Sequence, residues 1–134
     1  MQNIIETAAS QPNLKIFIKA VMETGLYDYL REEGPFTIFT PTDAAFEKLS
    51  PKTIEQLFED KEKLTDLLAQ HIILAKMSLK NTFEGKKIIM ANGKTLTLSG
   101  KNGLSVDKAN VIKKDIICEN GIMHTINEVL LVQT

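Results

Sequence analysis

The stretch TIFTPTDAAFEKL, residues 37–49, joins a β-type run to a helix start and sets the architecture of the first half of the chain. Residues 36–39 form a short apolar run that is long enough for one strand. The next residues predict a helix with Thr40 as its N-cap and Pro41 at its first position. Asp43 lies three positions after this cap, where its carboxylate can accept the N–H of the cap residue. We therefore expect a buried strand that leads directly into a helix.

The sequence before this stretch has the apolar spacing of a helix. The residues at positions i, i+3, i+4 and i+7 of its apolar face are Leu14, Phe17, Ile18 and Val21. Gly25 follows where such a helix would end, because glycine adopts the left-handed C-cap conformation at little cost. A shorter helical segment is expected around residues 27–30, before Gly34 and Pro35.

Two further helices are predicted after the stretch. Ser50 precedes Pro51 in a cap-then-proline pattern, and Asp60 begins another helix. The inward-facing residues of this last helix are Leu64, Leu67 and Leu68. His71 takes the next position on the same face, so we expect its ring to be buried and its nitrogens to bond backbone groups.

The second half of the chain changes to strand and turn patterns. Asn-Gly pairs favour tight hairpin turns because both residues tolerate positive φ, and they occur at residues 92–93, 102–103 and 120–121. The predicted strands are residues 95–98, 115–118, 122–126 and 129–132. Helices first and strands later predict an α+β fold, with the helices packed on a mostly antiparallel sheet.

Size and composition indicate a single globular domain over residues 1–134. The chain has 43% hydrophobic and 25% charged residues, as is typical of a folded protein. Its single cysteine, Cys118, excludes an internal disulfide, and the apolar residues before it predict a buried, unreactive thiol. The longest apolar runs have four residues, against about 20 for a membrane-spanning helix, and no secretory signal opens the sequence. We expect no membrane insertion.

Charge is distributed unevenly along the chain. Residues 1–70 carry a net charge of −5 and residues 71–134 a net charge of +4, so the second half is a candidate for binding small anionic ligands or polyanions. The lysines that would serve this purpose are Lys86, Lys87, Lys94, Lys101, Lys113 and Lys114. Nucleic acid is not an expected partner, because Arg31 is the only arginine and no aromatic residue follows Phe83.

The sequence contains no catalytic motif with residues in complementary roles. His124 lies in phase with Ile122 and Ile126 on a predicted strand, so its ring should point inward. The spacing from Cys118 to His124 matches no metal-ligand motif, and the glycines form no phosphate-binding loop. We therefore expect no enzymatic activity, no metal and no cofactor.

Two segments together resemble a known family. Residues 37–49 closely resemble the first homology box of fasciclin domains, and residues 109–131 resemble the second. The resemblance is collinear and covers nearly the whole chain. It implies a wedge of β-strands with the helices of the N-terminal half packed along one side. It also implies an extracellular or cell-surface location and a role in adhesion.

The resemblance also implies candidate binding residues. In animal members of the family, an Asp-Ile pair in the second box and a Tyr-His pair between the boxes are proposed integrin contacts. Asp115 and Ile116 match the first pair, and His71 matches the second, although Gln70 stands in place of the tyrosine. The second box usually closes with an Ile-Asp pair, whereas this chain has Ile and Asn at residues 126–127. Asp115 and Ile116 fit a structural role in the fold as well as a contact role.

The sequence lacks an Arg-Gly-Asp triplet and an N-glycosylation sequon, which favours a single-domain prokaryotic member of the family. An integrin would then be the wrong partner. The expected function is a non-enzymatic adhesion or binding module that recognises a surface protein or glycan. The alternative is a small-ligand or polyanion-binding domain that uses the lysine-rich second half. The oligomeric state is left open.

Overall fold

A computed structural model describes residues 2–77, 85–100 and 104–130, and six helices and seven strands are found there. The helices are α1 (Ile4–Ala9), α2 (Lys15–Thr24), α3 (Leu26–Glu32), α4 (Asp43–Glu47), α5 (Pro51–Glu59) and α6 (Lys61–Ala69). The strands are β1 (Phe36–Pro41), β2 (Ile72–Ile73), β3 (Lys87–Ile89), β4 (Thr95–Ser99), β5 (Ser105–Val106), β6 (Ala109–Cys118) and β7 (Gly121–Ile126). The predicted α+β class is confirmed.

The strands form one sheet in the order β2-β1-β7-β6-β5-β4-β3. Neighbouring strands are antiparallel except β1 and β7, which run parallel with Phe36 beside Gly121 and Pro41 beside Ile126. The sheet is therefore mostly antiparallel, as expected, but it contains one parallel pair. That pair joins the first strand of the chain to β7, which no local sequence pattern indicated.

Two clusters of buried side chains pack against the strands. The first combines apolar residues of α1, α2, α3 and α6 with Phe36 and Ile38 of β1. The second combines Phe39 of β1 with buried residues of β3, β4, β5 and β7. Because successive residues of a strand point to opposite faces, β1 contributes to both clusters, and all six of its residues are buried. The helices pack with the first cluster, in keeping with their expected place along one side.

Helix α4 begins two residues later than predicted. Residues 40–41 still belong to β1, and Thr42 is the N-cap, with its Oγ1 accepting the N–H of Ala45 at 3.2 Å. The carboxylate of Asp43 accepts the N–H of Ile16 in the first turn of α2, at 2.8 Å, so it caps a different helix from its own. The prediction was wrong because β1 keeps pairing with β7 through its last residue, which delays the helix.

The starts of α5 and α6 and the end of α2 agree with the sequence patterns, whereas α1 was not predicted. Ser50 and Asp60 are the N-caps of α5 and α6, where they accept the N–H groups of Thr53 and Lys63 at 3.1 Å and 3.2 Å. Gly25 follows α2 in the left-handed conformation, with φ 77°. Local capping chemistry therefore fixes these ends without help from the rest of the fold.

The predicted strand at residues 129–132 is not found in its described part, residues 129–130. The N–H of Leu130 donates to Nε2 of His71 at 2.9 Å, so it does not join a strand ladder. The predicted turn at residues 92–93 is confirmed in the β3–β4 connection. The β6–β7 turn lies at residues 119–120, one residue earlier than predicted, because Gly121 is already the first residue of β7 and pairs with Cys118. The third Asn-Gly pair and Lys101 lie outside the described residues.

Candidate binding surface

His71 lies just after α6 and is 1% exposed, so the helical spacing predicted its burial correctly. Its Nδ1 donates to the carbonyl of Leu67 at 2.7 Å, and its Nε2 accepts the N–H of Leu130 at 2.9 Å. These two bonds require a neutral ring, and burial lowers the pKa of His71 to about 4. Both ring nitrogens are bonded to backbone groups, so the buried ring offers a partner neither a donor nor an acceptor in this structure.

His124 is fully buried on β7 and connects two other segments of the chain. Its Nδ1 accepts the N–H of Asp115 at 2.9 Å, and its Nε2 donates to the carbonyl of Met77 at 3.0 Å. Burial lowers the pKa of His124, although the Met77 carbonyl and the Asp115 carboxylate act in the opposite direction. The ring therefore holds β6 and the segment after β2 against β7.

Asp115 and Ile116 lie in an irregular part of β6. The pairing of β6 with β7 shifts register twice, between Val111 and Lys113 and again between Lys113 and Ile116. Asp115 has φ 54°, a left-handed conformation that aspartate tolerates better than most residues with a Cβ. Ile116 packs, partly buried, against the first core cluster. The pair matched by the resemblance thus shapes a bulged strand.

The bulged part of β6 exposes apolar side chains to solvent. Ile112 and Ile117 are 58% and 55% exposed, and the exposed Lys113 and Lys114 lie between them in the sequence. We call Ile112, Lys113, Lys114 and Ile117 the β6 strip. The four residues are exposed along one strand but not on one face of it, because Val111 beside Ile112 packs into the second core cluster, whereas Ile116 and Cys118 beside Ile117 pack into the first. The sequence did not predict the exposure of the two isoleucines, because a bulge interrupts the alternation of inward and outward residues along a strand.

The lysines of the alternative hypothesis do not form one patch. Lys86 and Lys87 lie at the start of the β3–β4 hairpin, and Lys94 lies in its turn. Lys113 and Lys114 lie on β6, which β4 and β5 separate from β3 in the sheet. The described lysines therefore occupy three separate places, and a single extended polyanion site would have to bridge them.

Asn120 has a larger role than the turn that the sequence predicted. Its Oδ1 accepts the N–H of Ile4 at 2.8 Å, and its Nδ2 donates to the carbonyls of Leu30 and Glu33 at 2.7 Å and 2.9 Å. One side chain thus attaches α1 and the end of α3 to the β6–β7 turn. A Cβ on the neighbouring Gly121 would collide with the backbone of β1, so this turn is closely fitted to its surroundings.

The arrangement shows no side chain poised for catalysis among the described residues. His124 does lie near a carboxylate, with 3.9 Å between its Nδ1 and the Oδ1 of Asp115, but its ring is buried and its Nε2 is bonded to Met77. Cys118 is buried, and burial raises the pKa of its thiol. Within residues 2–77, 85–100 and 104–130, no three His, Cys, Asp or Glu side chains are grouped to hold a metal ion. No helix in the same ranges has the length and hydropathy needed to cross a bilayer.

Comparison with known proteins gives a consistent result. The sequence model of the Fasciclin domain family matches residues 12–132 of this chain. The uncharacterized protein sll1735 of Synechocystis sp. is 35% identical over 131 residues, and the match covers 98% of each chain. The transforming growth factor-beta-induced protein ig-h3 of Sus scrofa is 33% identical over 141 residues, which cover 98% of this chain and 19% of that protein.

A solved structure shows the same fold. The FAS1 domain pair from the insect cell adhesion molecule fasciclin I superimposes with a TM-score of 0.69 and 22% identity. The match covers 88% of this chain and 45% of that chain. The likeness therefore extends over most of the present chain and over less than half of its larger neighbour.

Proposed function

Since the chain belongs to the fasciclin domain family, we propose that it is a non-enzymatic adhesion module, located outside the cell or at its surface, that binds a surface protein or glycan. Two findings support the proposal. The chain has the fold of part of a domain pair from an insect cell adhesion molecule, of which it covers 45%. The pairing of β6 with β7 shifts register twice, and two isoleucines of β6 are exposed to solvent.

The β6 strip is the observation that carries the proposal. Ile112 and Ile117 keep more than half of their surface in water, and burying such apolar area against a partner is favourable by roughly 25 cal/mol per Å². Lys113 and Lys114, which lie between them in the sequence, are exposed and add positive charge to the same strand. A protein surface with apolar and acidic side chains complements both features, whereas a neutral glycan offers no charge. We therefore place a protein partner first.

The test is retention of cells and envelope fractions from the source organism on the immobilised domain. We expect the double variant Ile112→Ser/Ile117→Ser to lose most of the retention, because it removes the apolar area of the β6 strip. Ile89→Ser is the matched control, since Ile89 is a strand residue that is 71% exposed on β3. Melting temperatures of all three proteins should agree, because each change is at an exposed position.

The outcomes separate the possibilities. Equal loss of retention in the double variant and in Ile89→Ser would indicate general adsorption through exposed isoleucines and would contradict a site on β6. Full retention by the double variant would exclude the β6 strip. Retention of the wild-type domain no greater than that of an unrelated domain of similar size would contradict the adhesion function itself.

Asp115 needs a separate comparison, because its backbone shape and its carboxylate are both candidates for the binding role. Asp115→Asn removes the charge and keeps a residue that tolerates positive φ, whereas Asp115→Ala strains the bulge. If Asp115 positions the β6 strip, Asp115→Asn retains binding and Asp115→Ala loses part of it. Equal loss in both variants, with unchanged melting, would instead make the carboxylate a direct contact.

A further inference from the structure

Strand β3 is the last strand of the sheet, and it pairs with β4 on one side only. Backbone groups of Lys86 and Met90 bond to the second half of the hairpin, at 2.7 Å and 2.8 Å. Residues that bond to the neighbouring strand alternate along an antiparallel pair, so Ile88 faces β4 as well. The N–H and C=O groups of Lys87 and Ile89 therefore point away from β4, toward the outer edge of the sheet.

The opposite end of the sheet approaches this outer edge at one point. The N–H of Ala91 donates to the carbonyl of Ile72 in β2 at 2.7 Å. The strand order makes β2 and β3 antiparallel, so continued pairing would place Leu74 beside Ile89. No backbone hydrogen bond between described residues continues it, and Leu74 and Ile89 are 57% and 71% exposed. The outer edge of β3 is therefore closed at Ala91 and open beside Ile89.

The residues around this open edge are basic. Lys86 and Lys87 are exposed at the start of the hairpin, and Lys76 is exposed on the segment after β2. None of these lysines forms an ion pair within the described part of the chain. The sequence from residue 85 to residue 106 contains four lysines and no Asp or Glu. A second copy that paired through β3 would bring like charges together, whereas an acidic segment would be attracted.

We propose that the outer edge of β3 binds an extended acidic peptide segment of another protein, which adds to the sheet as one more strand. The outward backbone groups of Lys87 and Ile89 form the new ladder. Ile88 and Met90 are buried, so apolar side chains of the segment continue their face of the sheet. Side chains on the other face lie beside Lys87, where carboxylates are favoured. The preferred segment therefore alternates apolar and acidic residues.

This site is separate from the β6 strip, because β4 and β5 lie between β3 and β6. It also differs from a general polyanion site, since it requires hydrogen bonds to the backbone of one strand. The proposal therefore stands whether or not the adhesion function is correct, and a defined peptide tests it without cells.

The probe is a terminally blocked hexapeptide of alternating valine and glutamate, titrated into the isotope-labelled chain. We expect saturable binding that slows hydrogen exchange at the amides of Lys87 and Ile89. The amide of Ile88 should change little, because it already faces β4. The same peptide with glutamine in place of glutamate should bind about fivefold more weakly or worse. Added salt should weaken the binding of the acidic peptide, because the lysines are exposed to solvent.

Methylation of backbone nitrogens in the peptide separates strand addition from general attraction between charges. Successive residues of a strand direct their N–H groups to opposite edges. Methylating one alternate set of amides should therefore abolish binding, whereas methylating the other set should change the affinity little. Both methylated peptides keep every carboxylate. Equal binding by the two would contradict strand addition, and this comparison does not depend on how any variant of the chain folds.

Two substitutions at Ile89 test the same bond from the side of the chain. Ile89→Pro removes the outward N–H without breaking a bond to β4, and it should weaken binding about tenfold or more. Ile89→Ser is the matched control, because it keeps the N–H, and its affinity should stay within about twofold of the wild type. Equal affinities of the two variants, with the β3–β4 amide signals preserved, would overturn the site.

The lysines have their own comparison. Lys86→Gln/Lys87→Gln should weaken binding about fivefold, whereas Lys61→Gln/Lys63→Gln, at exposed positions of α6, should leave it unchanged. Equal affinity for the glutamate and glutamine peptides would overturn the preference for an acidic segment. Self-association of the free chain that is lost in Ile89→Pro would show that a second copy occupies the edge and would also overturn the proposal.

Discussion

His71 and His124 are both buried, neutral rings, but they use opposite nitrogens as donors. His71 donates from Nδ1 to Leu67 and accepts at Nε2, whereas His124 accepts at Nδ1 and donates from Nε2 to Met77. In both rings the accepting nitrogen is bonded to a backbone N–H. Protonation of that nitrogen would remove the lone pair that accepts the hydrogen bond and would place its new N–H against the backbone N–H. Each ring is therefore a hydrogen-bonding link between chain segments that operates only in its neutral form.

The pH dependence of stability follows from the lowered pKa of His71. The ring has a pKa of about 4 in the folded chain and an ordinary value of 6.5 when unfolded, so the unfolded state binds the proton first as pH falls. The stabilisation is complete above pH 6.5 and is lost progressively down to about pH 4, by about 3 kcal/mol. Urea unfolding of the wild type and of His71→Gln across this range measures it.

The His71→Gln variant should be less stable at neutral pH and should show a shallower loss of unfolding free energy on acidification. The remaining slope reports His124 and the carboxylates. Parallel curves for the two proteins over the same pH range would contradict the assignment, since they would mean that His71 does not titrate between its folded and unfolded values.

At the level of secondary structure, the N-terminus of α2 is capped by a residue from another helix. Its N-cap residue, Leu14, has no side-chain acceptor, and the carboxylate of Asp43 takes that place by accepting the N–H of Ile16. The backbone N–H of Asp43 in turn donates to the carbonyl of Asn13 at 2.8 Å. The start of α4 and the start of α2 are thus joined by a reciprocal pair of hydrogen bonds, in which each helix end satisfies the other.

Removing this acceptor should destabilise the chain through α2. We expect Asp43→Ala to lower the free energy of unfolding by about 1–2 kcal/mol, and Asp43→Asn to cost less because its amide oxygen can still accept. Glu47→Ala is the matched control, since Glu47 is an exposed acidic residue of the same helix. Chemical unfolding measures all three, and similar losses in Asp43→Ala and Glu47→Ala would contradict the role of the Ile16 hydrogen bond.

The element boundaries show which parts of the fold the sequence could predict. The caps Ser50 and Asp60 were correct because their hydrogen bonds are made within three residues. Thr40 was assigned wrongly because its conformation depends on pairing with Thr125, far along the chain. Capping rules consider hydrogen bonds between a side chain and the backbone within a few residues. They fail where pairing with a distant strand decides the backbone conformation.

At the scale of the whole molecule, Asn120 joins the two ends of the chain. Its side-chain oxygen meets Ile4 across 116 positions of sequence, and its side-chain nitrogen meets the carbonyls that end α3. Its own carbonyl accepts the N–H of Phe36 at 3.0 Å, at the start of β1. Helices, central strand and last hairpin are therefore connected at one residue.

Replacing Asn120 should affect the stability of the entire fold. Asn120→Ala leaves the N–H of Ile4 and the carbonyls of Leu30 and Glu33 without their partner, and we expect a loss of at least about 2 kcal/mol in the free energy of unfolding. Asn110→Ala is the control, because Asn110 is exposed on β6. Thermal and urea unfolding measure the difference, and an equal, small effect of both changes would contradict the connecting role.

The candidate binding surfaces were harder to predict from the sequence than the core was. Burial of His71 followed from helical spacing, and Asp115 was located by the resemblance. Exposure of Ile112 and Ile117 depends on a bulge, and the open edge of β3 depends on the order of the strands in the sheet. Periodicity assigns each residue to an inner or outer face of one element, and it carries no information on which strand lies at the edge of a sheet.

The parallel pairing of β1 with β7 has a consequence for synthesis on the ribosome. Phe36, Ile38 and Phe39 leave the ribosome early, whereas the strand that covers one edge of theirs is made only after residue 121. A nascent chain that stops before Gly121 therefore carries a strand that is wholly buried in the folded protein and now has an open edge, which is a template for aggregation. The central pair of strands cannot form until β7 has been translated, so products arrested before that point depend on chaperones or proteases for their fate.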